Sequence, residues 1–390
     1  MRVLHVITGL AGGGAEQQLL LTLRHLPPGI DCEVATLTNP GSVASALRAD
    51  GVTVHDLRMR GNRDLAVLPR LTRLIRRGRY DVVHTHLYRA GLYGRLAARL
   101  AGVRTVLATE HSLHAGTIEG RPVGTGVRTL YLAAERLGHT TVAVSRQVAG
   151  TLGDWGVPAQ RIAVLPNGID AARYELLALE RLLVRQSVRD QCGLPLGSWV
   201  VGAVGRLVPG KRFGVLVEAL AGLPPELDAR LLLVGEGPQR AALRALAADL
   251  GVADRLHCTG ERADLPELLA AMDVLAAPSE QETFGLAVLE GLTAGLPVCH
   301  SGCPALEALP AEAAPGARKI ASDPAAYRAA LLDLAAHPPA LRSAGARPGG
   351  PPPRPPAVAH YDITRTASEL AALYQRLGPA GVPAPAGRET

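Results

Sequence analysis

At 390 residues the chain is too long for one ordinary hydrophobic core and fits two domains of about 200 residues each. Hydrophobic residues make up 47% of the sequence and aromatic residues only 3%, so aliphatic side chains must build the cores and aromatic stacking on a ligand is scarce. The formal charge of +6 is spread along the chain, and no segment interleaves basic with aromatic residues. This distribution argues against a nucleic-acid-binding protein.

The sequence carries no feature typical of a secreted or membrane-spanning protein. Its five cysteines show neither a CxxC pair nor the spacing of a disulfide framework, so we interpret them as cytosolic thiols. The N-terminal MRVLHVITGL is a short apolar run that reaches glycines at once, which favours a first strand over a signal peptide. No apolar stretch is long enough to cross a membrane. We expect a cytoplasmic protein, with a peripheral position at the inner face of the membrane left open.

Short apolar runs alternate with longer amphipathic stretches, which is the rhythm of a parallel sheet with crossover helices. The first series of predicted strands is Val3–Ile7, Cys32–Leu37, Asp81–His84, Thr105–Ala108, Thr141–Val144 and Arg161–Leu165. After Pro166-Asn167-Gly168 a second series begins, with Val200–Val204, Leu231–Val234, Leu256–Thr259, Val274–Ala277 and Pro297–Cys299. The restart predicts two α/β domains with a boundary near 168–190.

The predicted domains are an N-terminal one over 1–170 and a C-terminal one over 191–346, joined by a linker over 171–190. A second linker is predicted over 347–360, because RPGGPPPRPP at 347–356 cannot hold a helix. Apolar residues at helical spacing then predict a closing helix over 361–377, which could pack on either domain. We expect the tail, 378–390, to be disordered.

A glycine cluster, Gly9 to Gly14, follows the first predicted strand and precedes a helix. The amides of such a loop, together with the helix N-terminus, can approach a phosphate closely. The cluster is not the dinucleotide fingerprint, because its glycine spacing differs and the second strand ends without an acid for a ribose. A nicotinamide enzyme is therefore disfavoured, and a tight turn that needs glycine only for packing is the alternative.

The segment GRLVPGKR, residues 205–212, follows the first strand of the second series and matches the Walker A consensus except at its last residue. Arg212 stands where that loop would carry the Ser or Thr hydroxyl that holds magnesium. We therefore interpret Arg206 and Lys211 as two cations placed on a diphosphate. Ordinary surface salt bridges are the alternative.

The segment PSEQETFGLAVLE, residues 278–290, follows another predicted strand and carries Glu282 and Glu290 eight positions apart. On a helix that spacing rises about 12 Å, roughly the separation of sugar and ribose in a nucleotide-diphosphate sugar. Glu282 is predicted on the loop and Glu290 about two turns into the helix. Free amides at Phe284, Gly285 and Leu286 would then point at the sugar. Glutamates that only complement the helix dipole are the alternative.

Together these motifs, with LPNGID at the boundary, resemble the retaining glycosyltransferases of family 4, which have the GT-B fold. The resemblance runs over about residues 1–335 and implies two Rossmann-like doubly wound domains that face a central cleft. It implies that Arg206 and Lys211 bind the donor diphosphate, that Glu282 contacts the donor sugar and that Glu290 contacts the ribose. It also implies sugar contacts from the backbone of Phe284, Gly285 and Leu286, and a phosphate contact from Gly13 or Gly14.

Thr109-Glu110-His111-Ser112 resembles the family's active-site histidine segment, so His111 is carried over as a catalytic or sugar-orienting residue. A capping or core histidine is the alternative. His84, His86, His111 and His114 are four candidate zinc ligands, but no Cys or acidic residue at a suitable spacing supports a metal site. We therefore assign His111, Arg206, Lys211 and Glu282 to catalysis and no residue to a metal.

The sequence thus predicts a bacterial transferase that moves a hexose or N-acetylhexosamine from a nucleotide-diphosphate sugar with retention and without a cofactor or metal. Its expected partners are that donor and a cell-surface glycan, lipid-linked sugar or small-molecule acceptor. A basic amphipathic stretch over 63–80 could contact a membrane, and a solvated helix beside the core is the alternative. A P-loop-like nucleotide hydrolase and a catalytically silent nucleotide-sugar-binding protein are the alternatives for function.

Overall fold

The computed structural model describes residues 1–61, 64–114, 116–176, 178–337 and 354–378. These residues form two compact units. The first comprises Met1–Gly168 and the segment that begins at Ile363, and the second comprises Ile169–Asp362.

The first unit is built on a seven-stranded parallel sheet with the order β3-β2-β1-β4-β5-β8-β9. Its strands, with a small β6–β7 hairpin, are β1 Arg2–Ile7, β2 Asp31–Thr36, β3 Val54–Asp56, β4 Val82–His86, β5 Thr105–Glu110, β6 Thr117–Ile118, β7 Arg121–Pro122, β8 Thr140–Ala143 and β9 Ile162–Val164. The helices before the boundary are α1 Gly14–His25, α2 Ser42–Ala49, α3 Val67–Gly78, α4 Tyr88–Ala101, α5 Thr125–Glu135 and α6 Arg146–Trp155.

Strand β1 shows how these residues build a sheet that is covered on both faces. Leu4 and Val6 join one apolar cluster, while Val3 and Ile7 join clusters on the opposite face. Because side chains alternate along a strand, His5 points to the same face as Val3 and Ile7. It is a fully buried polar residue among the apolar residues Val3 to Ile7.

The second unit is built on a six-stranded parallel sheet with the order β12-β11-β10-β13-β14-β15. Its strands are β10 Trp199–Val204, β11 Ala229–Val234, β12 Leu256–Gly260, β13 Val274–Ala277, β14 Val298–His300 and β15 Ala317–Lys319. Its helices are α7 Ala178–Cys192, α8 Gly214–Ala221, α9 Arg240–Asp249, α10 Leu265–Ala270, α11 Leu286–Thr293, α12 Pro304–Glu307, α13 Pro324–Ala336 and α14 Pro356–His360.

Every strand predicted from the two apolar series is confirmed. The sequence patterns missed β3, β15 and the β6–β7 hairpin. These strands have only two or three residues each, too few to show a periodic pattern.

The predicted linker over 171–190 differs from the structure, because most of it is helical and belongs to the second unit. A 3-10 turn covers Ala171–Tyr174 and α7 follows it. The guanidinium groups of Arg185 and Arg189 donate to the two carboxylate oxygens of Asp273 at 2.7 and 2.8 Å. The fully buried Arg189 thereby anchors α7 to the end of α10 and the start of β13.

The proline-rich linker predicted over 347–360 is wrong for its last residues. Pro356 opens α14, where proline is tolerated because the first helical N–H has no intrahelical acceptor. Residues 347–353 and the predicted disordered tail from 379 lie outside the described residues.

The predicted closing helix is confirmed as α15, Ile363–Leu377. The sequence left open which domain it packs on, and the structure places it on the first sheet. Leu370, Leu373 and Tyr374 join the cluster that contains Val3 and Val82. The chain therefore crosses into the second unit and returns to the first.

Candidate functional site

The two motifs of the second unit flank the point where its strand order reverses. The 205–212 segment follows β10, the 278–290 segment follows β13, and these two strands are parallel neighbours. At such a point the chain leaves the two adjacent strands in opposite directions. The loops after these strands are thereby separated by a crevice at the carboxyl ends of the strands, where ligands bind in sheets of this kind. The topology thus brings together segments about 70 residues apart in the sequence.

Glycines allow two loops of this edge to pack backbone against backbone. Gly235 has φ +140°, and a Cβ there would lie 2.0 Å from the carbonyl oxygen of Gly205. The amide of Leu207 donates to the carbonyl oxygen of Glu236 at 3.0 Å. This contact fixes the backbone on both sides of Arg206, whose exposed side chain makes no ion pair or hydrogen bond within the described residues.

Lys211 and Arg212 are adjacent cations with different environments. The ammonium group of Lys211 donates to the carboxylate of Glu282 at 2.5 Å, and both side chains are mostly buried. Arg212 pairs with Glu280 and donates to the carbonyl oxygen of Ser322 at 2.8 Å. Among the described residues Arg206 is therefore the cation of this loop that has no partner, Lys211 is paired with Glu282, and Arg212 ties the loop to its neighbours.

The loop also departs from the geometry of a phosphate loop. Pro209–Lys211 forms a 3-10 turn, Arg212 adopts a left-handed conformation with φ +54°, and α8 begins only at Gly214. In a Walker A loop the Lys and the following hydroxyl residue lead directly into the helix, so this backbone does not fit the P-loop alternative.

Gly285 determines where α11 begins. It is the N-cap residue, has φ +101°, and a Cβ there would lie 2.4 Å from the sulfur of Cys303. The amides of Leu286 and Ala287 therefore open the helix, where they lack intrahelical acceptors. The ring of Phe284 is buried and packs edge-on against the ring of Tyr361.

Glu290 lies one turn into α11, not about two turns as we predicted, because the left-handed Gly285 delays the start of the helix. The hydroxyl of Tyr174 donates to its carboxylate at 3.3 Å. Burial raises the pKa of Glu290, while that hydrogen bond and the cations of Arg173 and Lys211 oppose the shift. A carboxylate held in this way is a suitable acceptor for ribose hydroxyls.

Two residues that hold this site were missed by sequence reasoning. Tyr174 positions Glu290 across 116 positions of sequence, and the buried Ser279 hydroxyl donates to the carbonyl oxygen of Gly210 at 3.0 Å. Ser279 lies within a motif that the sequence singled out. Tyr174 carries no local signal, since only its tertiary position connects it to the site.

The glycine cluster of the first unit also lies at a point where strand order reverses, here between β1 and β4. Gly13 is the N-cap residue of α1 with φ −72°, and Gly14 is the first helical residue. Because this φ suits any residue, backbone conformation does not explain glycine at position 13. A Cβ at position 13 would lie 2.4 Å from a carboxylate oxygen of Glu16, so the side chain of Glu16 lies against this helix start.

His111 follows β5 and contacts a cluster of buried histidines. Its Nε2 lies 3.2 Å from Nδ1 of His86, and Nε2 of His86 lies 3.0 Å from Nδ1 of His5. Burial lowers the pKa of His111 to about 4 and that of His5 to about 3. These imidazoles are therefore neutral at pH 7.

The structure thus brings together His84, His86 and His111, which the sequence had named beside His114, and adds His5. Ring nitrogens of His5, His84 and His86 lie within 4.8 Å of one another. All of these nitrogens except Nε2 of His5 already have a hydrogen-bond partner in the protein. Hydrogen bonding accounts for the cluster, and the absence of a metal site stays a prediction.

The comparisons with known proteins match both units. The family model for Glycosyltransferase Family 4 matches residues 12–173, and the model for Glycosyl transferases group 1 matches residues 198–337. The chain is 31% identical over 242 residues to the Escherichia coli UDP-Gal:alpha-D-GlcNAc-diphosphoundecaprenol alpha-1,3-galactosyltransferase, an alignment that covers 60% of this chain and 61% of that one.

Two further relatives are covered more fully. A D-inositol 3-phosphate glycosyltransferase of Thermobispora bispora is 28% identical, with 95% of this chain and 88% of that one aligned. A 2-deoxystreptamine glucosyltransferase of Streptomyces kanamyceticus is 31% identical, with 68% of this chain and 74% of that one aligned.

Among solved structures, Anabaena HepE in complex with UDP and glucose superposes with a TM-score of 0.79 at 20% identity, covering 96% of this chain and 100% of that one. This similarity establishes the GT-B fold.

Proposed function

The chain belongs to glycosyltransferase family 4, and we propose that it transfers a hexose-type sugar, hexosyl or N-acetylhexosaminyl, from a nucleotide-diphosphate donor with retention of the anomeric configuration. The observation that supports this most is the arrangement around β10 and β13. Arg206 and Lys211 lie on the loop after one strand, and Glu282 and the start of α11 lie on the loop after the other.

The charges of this loop pair match the reaction proposed. When the bond between sugar and phosphate breaks, the sugar becomes oxocarbenium-like and negative charge grows on the leaving diphosphate. Arg206 and Lys211 would stabilise that charge, with the amides that open α11 directed at the sugar. The leaving phosphate oxygen would itself take the acceptor proton.

Neither Glu282 nor Glu290 is suited to act as a nucleophile. Glu282 is engaged by Lys211 at 2.5 Å, and burial raises the pKa of Glu290, which also bonds Tyr174. In this proposal Glu282 contacts the donor sugar and Glu290 the ribose. We assign no covalent intermediate to either residue.

The names of the relatives guide the choice of donor and acceptor. One is named for UDP-Gal, and the superposed HepE holds UDP and glucose, so we propose a UDP-sugar as donor. The relatives are named for a lipid-linked sugar, an inositol phosphate and an aminocyclitol, so an acceptor screen needs all three classes.

The first experiment is a thermal-shift screen against UDP-sugars and their counterparts with other bases, followed by transfer assays with the best donor. An NMR spectrum of the product should show the anomeric configuration of the donor. An inverted linkage would sink the retaining assignment. A donor that stabilises the protein but is never turned over would instead support the silent binding alternative.

Peripheral membrane contact is a separate proposal, which concerns α3. Leu71 of this helix is buried in the first unit and Leu68 and Leu74 pack against the same core, as expected for a solvated helix beside the core. Arg73 and Arg77 are exposed beside a surface groove of about 550 Å³. Among the described residues no helix is both long and apolar enough to cross a bilayer.

Vesicle flotation tests this contact. The protein should float with anionic vesicles and not with zwitterionic ones, and R73E/R77E should abolish flotation if the groove is the contact. Equal recovery with both vesicle types would remove this proposal.

A further inference from the structure

Tyr361 is a buried residue at the end of α14, where the chain leaves the second unit. Its backbone carbonyl oxygen accepts from the amide of Ile169 at 2.7 Å, which anchors the backbone at this position. Its hydroxyl donates to the carbonyl oxygen of Ala305 at 2.7 Å. Its ring packs edge-on against that of Phe284, with 5.1 Å between the centroids. One side chain therefore touches both α12 and the loop after β13.

The start of α12 in turn holds that loop. The amide of Ala305 donates to the carbonyl oxygen of Phe284 at 2.9 Å, and the thiol of Cys303 lies 3.5 Å from the same oxygen. A Cβ at Gly302 would lie 3.0 Å from the carbonyl oxygen of Glu280, so the two backbones are in close contact there as well. The segment 302–305 therefore supports the loop at two points.

The hydroxyl of Tyr361 completes the hydrogen bonding of α12. This helix has only four residues, and the amide of Leu309 donates to the carbonyl oxygen of Leu306 at 3.0 Å. The carbonyl oxygen of Ala305 thus accepts from a side chain where a longer helix would supply an amide. Removal of the hydroxyl would leave a buried acceptor without this partner.

These contacts converge on the peptide group that precedes α11. The carbonyl oxygen of Phe284 belongs to the same planar peptide group as the amide of Gly285, so a bond to that oxygen fixes the orientation of the plane. The amides of Leu286 and Ala287 follow directly, and they are the groups that we propose are directed at the donor sugar. Rotation of this peptide plane would turn them away from their present direction.

We propose that Tyr361 is a positioning residue for the donor sugar, which holds the first amides of α11 in place through Ala305 and Phe284. This inference rests on the proposed function, because it needs the sugar to bind at the start of α11. Tyr361 does not touch the donor in this proposal, since its hydroxyl is bonded to Ala305. The cations proposed for the diphosphate, Arg206 and Lys211, lie on the loop after β10 and do not depend on it.

The first test compares a ligand with a sugar and a ligand without one. Titration calorimetry with UDP-glucose and with UDP is run on the full chain and on Y361F, which keeps the ring against Phe284. Y361F should bind UDP-glucose about tenfold more weakly and UDP within about twofold of the wild type, because only the sugar contacts the displaced amides. An equal loss for both ligands, or no loss for either, would overturn the proposal.

Y327F is the matched control. Tyr327 is a fully buried tyrosine of the same unit, and its hydroxyl lies 3.1 Å from that of Ser301, two residues before Cys303. The substitution removes a comparable buried hydrogen bond that does not lead to Phe284. The ratio of the two dissociation constants should stay that of the wild type. A change in Y327F equal to that in Y361F would also overturn the proposal.

Amide hydrogen exchange without any ligand separates this inference from the proposed function. The amide of Ala305 should exchange about tenfold faster in Y361F than in the wild type, because its bond to Phe284 loosens, and it should be unchanged in Y327F. Unchanged exchange in Y361F would overturn the positioning role even in an active transferase. Faster exchange in a protein that binds no nucleotide sugar would confirm the link and overturn the proposed function instead.

Discussion

The ammonium group of Lys211 donates to the carboxylate of Glu282 at 2.5 Å, across the point where the strand order of the second sheet reverses. The pair joins the cation proposed for the diphosphate to the acid proposed for the sugar. In the proposed complex a phosphate of the donor would bind Lys211 and a sugar hydroxyl would bind Glu282. When the donor leaves, Lys211 and Glu282 pair with each other, so neither charge is left buried without a partner.

The first prediction concerns the two site cations. R206A and K211A should each lower kcat for donor turnover on the order of 10²–10³-fold, the range for loss of a preorganised group that stabilises charge in the transition state. R206K should recover only part of the loss, because a lysine cannot fork onto a phosphate.

The control for this prediction is K319A. Lys319 is the other lysine of the chain, and it forms an exposed ion pair with Glu307. Its removal should leave kcat unchanged. A K211A enzyme with wild-type kcat would show that the diphosphate lies elsewhere.

The second prediction concerns the ribose. E290A should weaken binding of the parent nucleoside diphosphate by roughly 1–3 kcal/mol, because buried polar partners lose their match. Y174F should weaken it less, since it removes only the hydroxyl that holds Glu290 in place. Titration calorimetry measures both, and equal affinity of E290A and wild type would refute the ribose contact.

The third prediction is that turnover needs no divalent metal. In the proposed site Arg206 and Lys211 would supply fixed positive charge for the diphosphate, and Arg212, at the position of the phosphate-loop hydroxyl, is bound to Glu280. Activity should be the same with excess EDTA and with added magnesium. Activity that vanished with the chelator and returned with magnesium would revive the phosphate-loop alternative.

The fourth prediction concerns Glu110, a buried carboxyl group beside His111 that accepts a hydrogen bond from Tyr131 at 3.0 Å. Burial raises its pKa from 4.5 to about 7. Between these values the folded protein binds more protons than the unfolded chain. The contribution of Glu110 to stability is therefore complete below pH 4.5 and is lost as the pH rises through 7.

E110Q keeps the acceptor for Tyr131 and does not titrate, so it isolates this effect. Relative to E110Q, the wild type should lose on the order of 2–3 kcal/mol of unfolding free energy between pH 5 and pH 8. Urea unfolding of both proteins at the two pH values measures the difference. Parallel stability curves would mean that Glu110 ionises normally.

The fifth prediction concerns Gly285. G285A should destabilise the protein by more than about 1 kcal/mol and should weaken donor binding, because φ +101° and the nearby Cys303 sulfur both disfavour a side chain. G150A is the matched control in the exposed middle of α6, where the Cβ meets open space. It should stabilise by about 0.5–1 kcal/mol. Equal thermal shifts for the two variants would contradict the prediction.

The sequence by itself determined the two α/β units and the loops that we propose carry the chemistry. Buried parallel strands are nearly continuous apolar runs, so β1 and β10 are visible in the sequence. Parallel strands also place the loop after each strand at the same edge of the sheet, but which of these loops are neighbours depends on the strand order. Each glycine loop or charged motif lies within one short stretch of sequence, so it can be recognised without knowledge of the fold.

The tertiary structure alone decided which distant side chains meet. The sheets do not follow sequence order, since β1 lies beside β4 and β10 beside β13. Consequently no local pattern connects Tyr174 with Glu290, or His5 with His86. The sequence did not determine which unit α15 packs on, for the same reason. An apolar helix face shows that the helix is buried but not which surface covers it. The strand order of the first sheet creates the surface on which α15 packs.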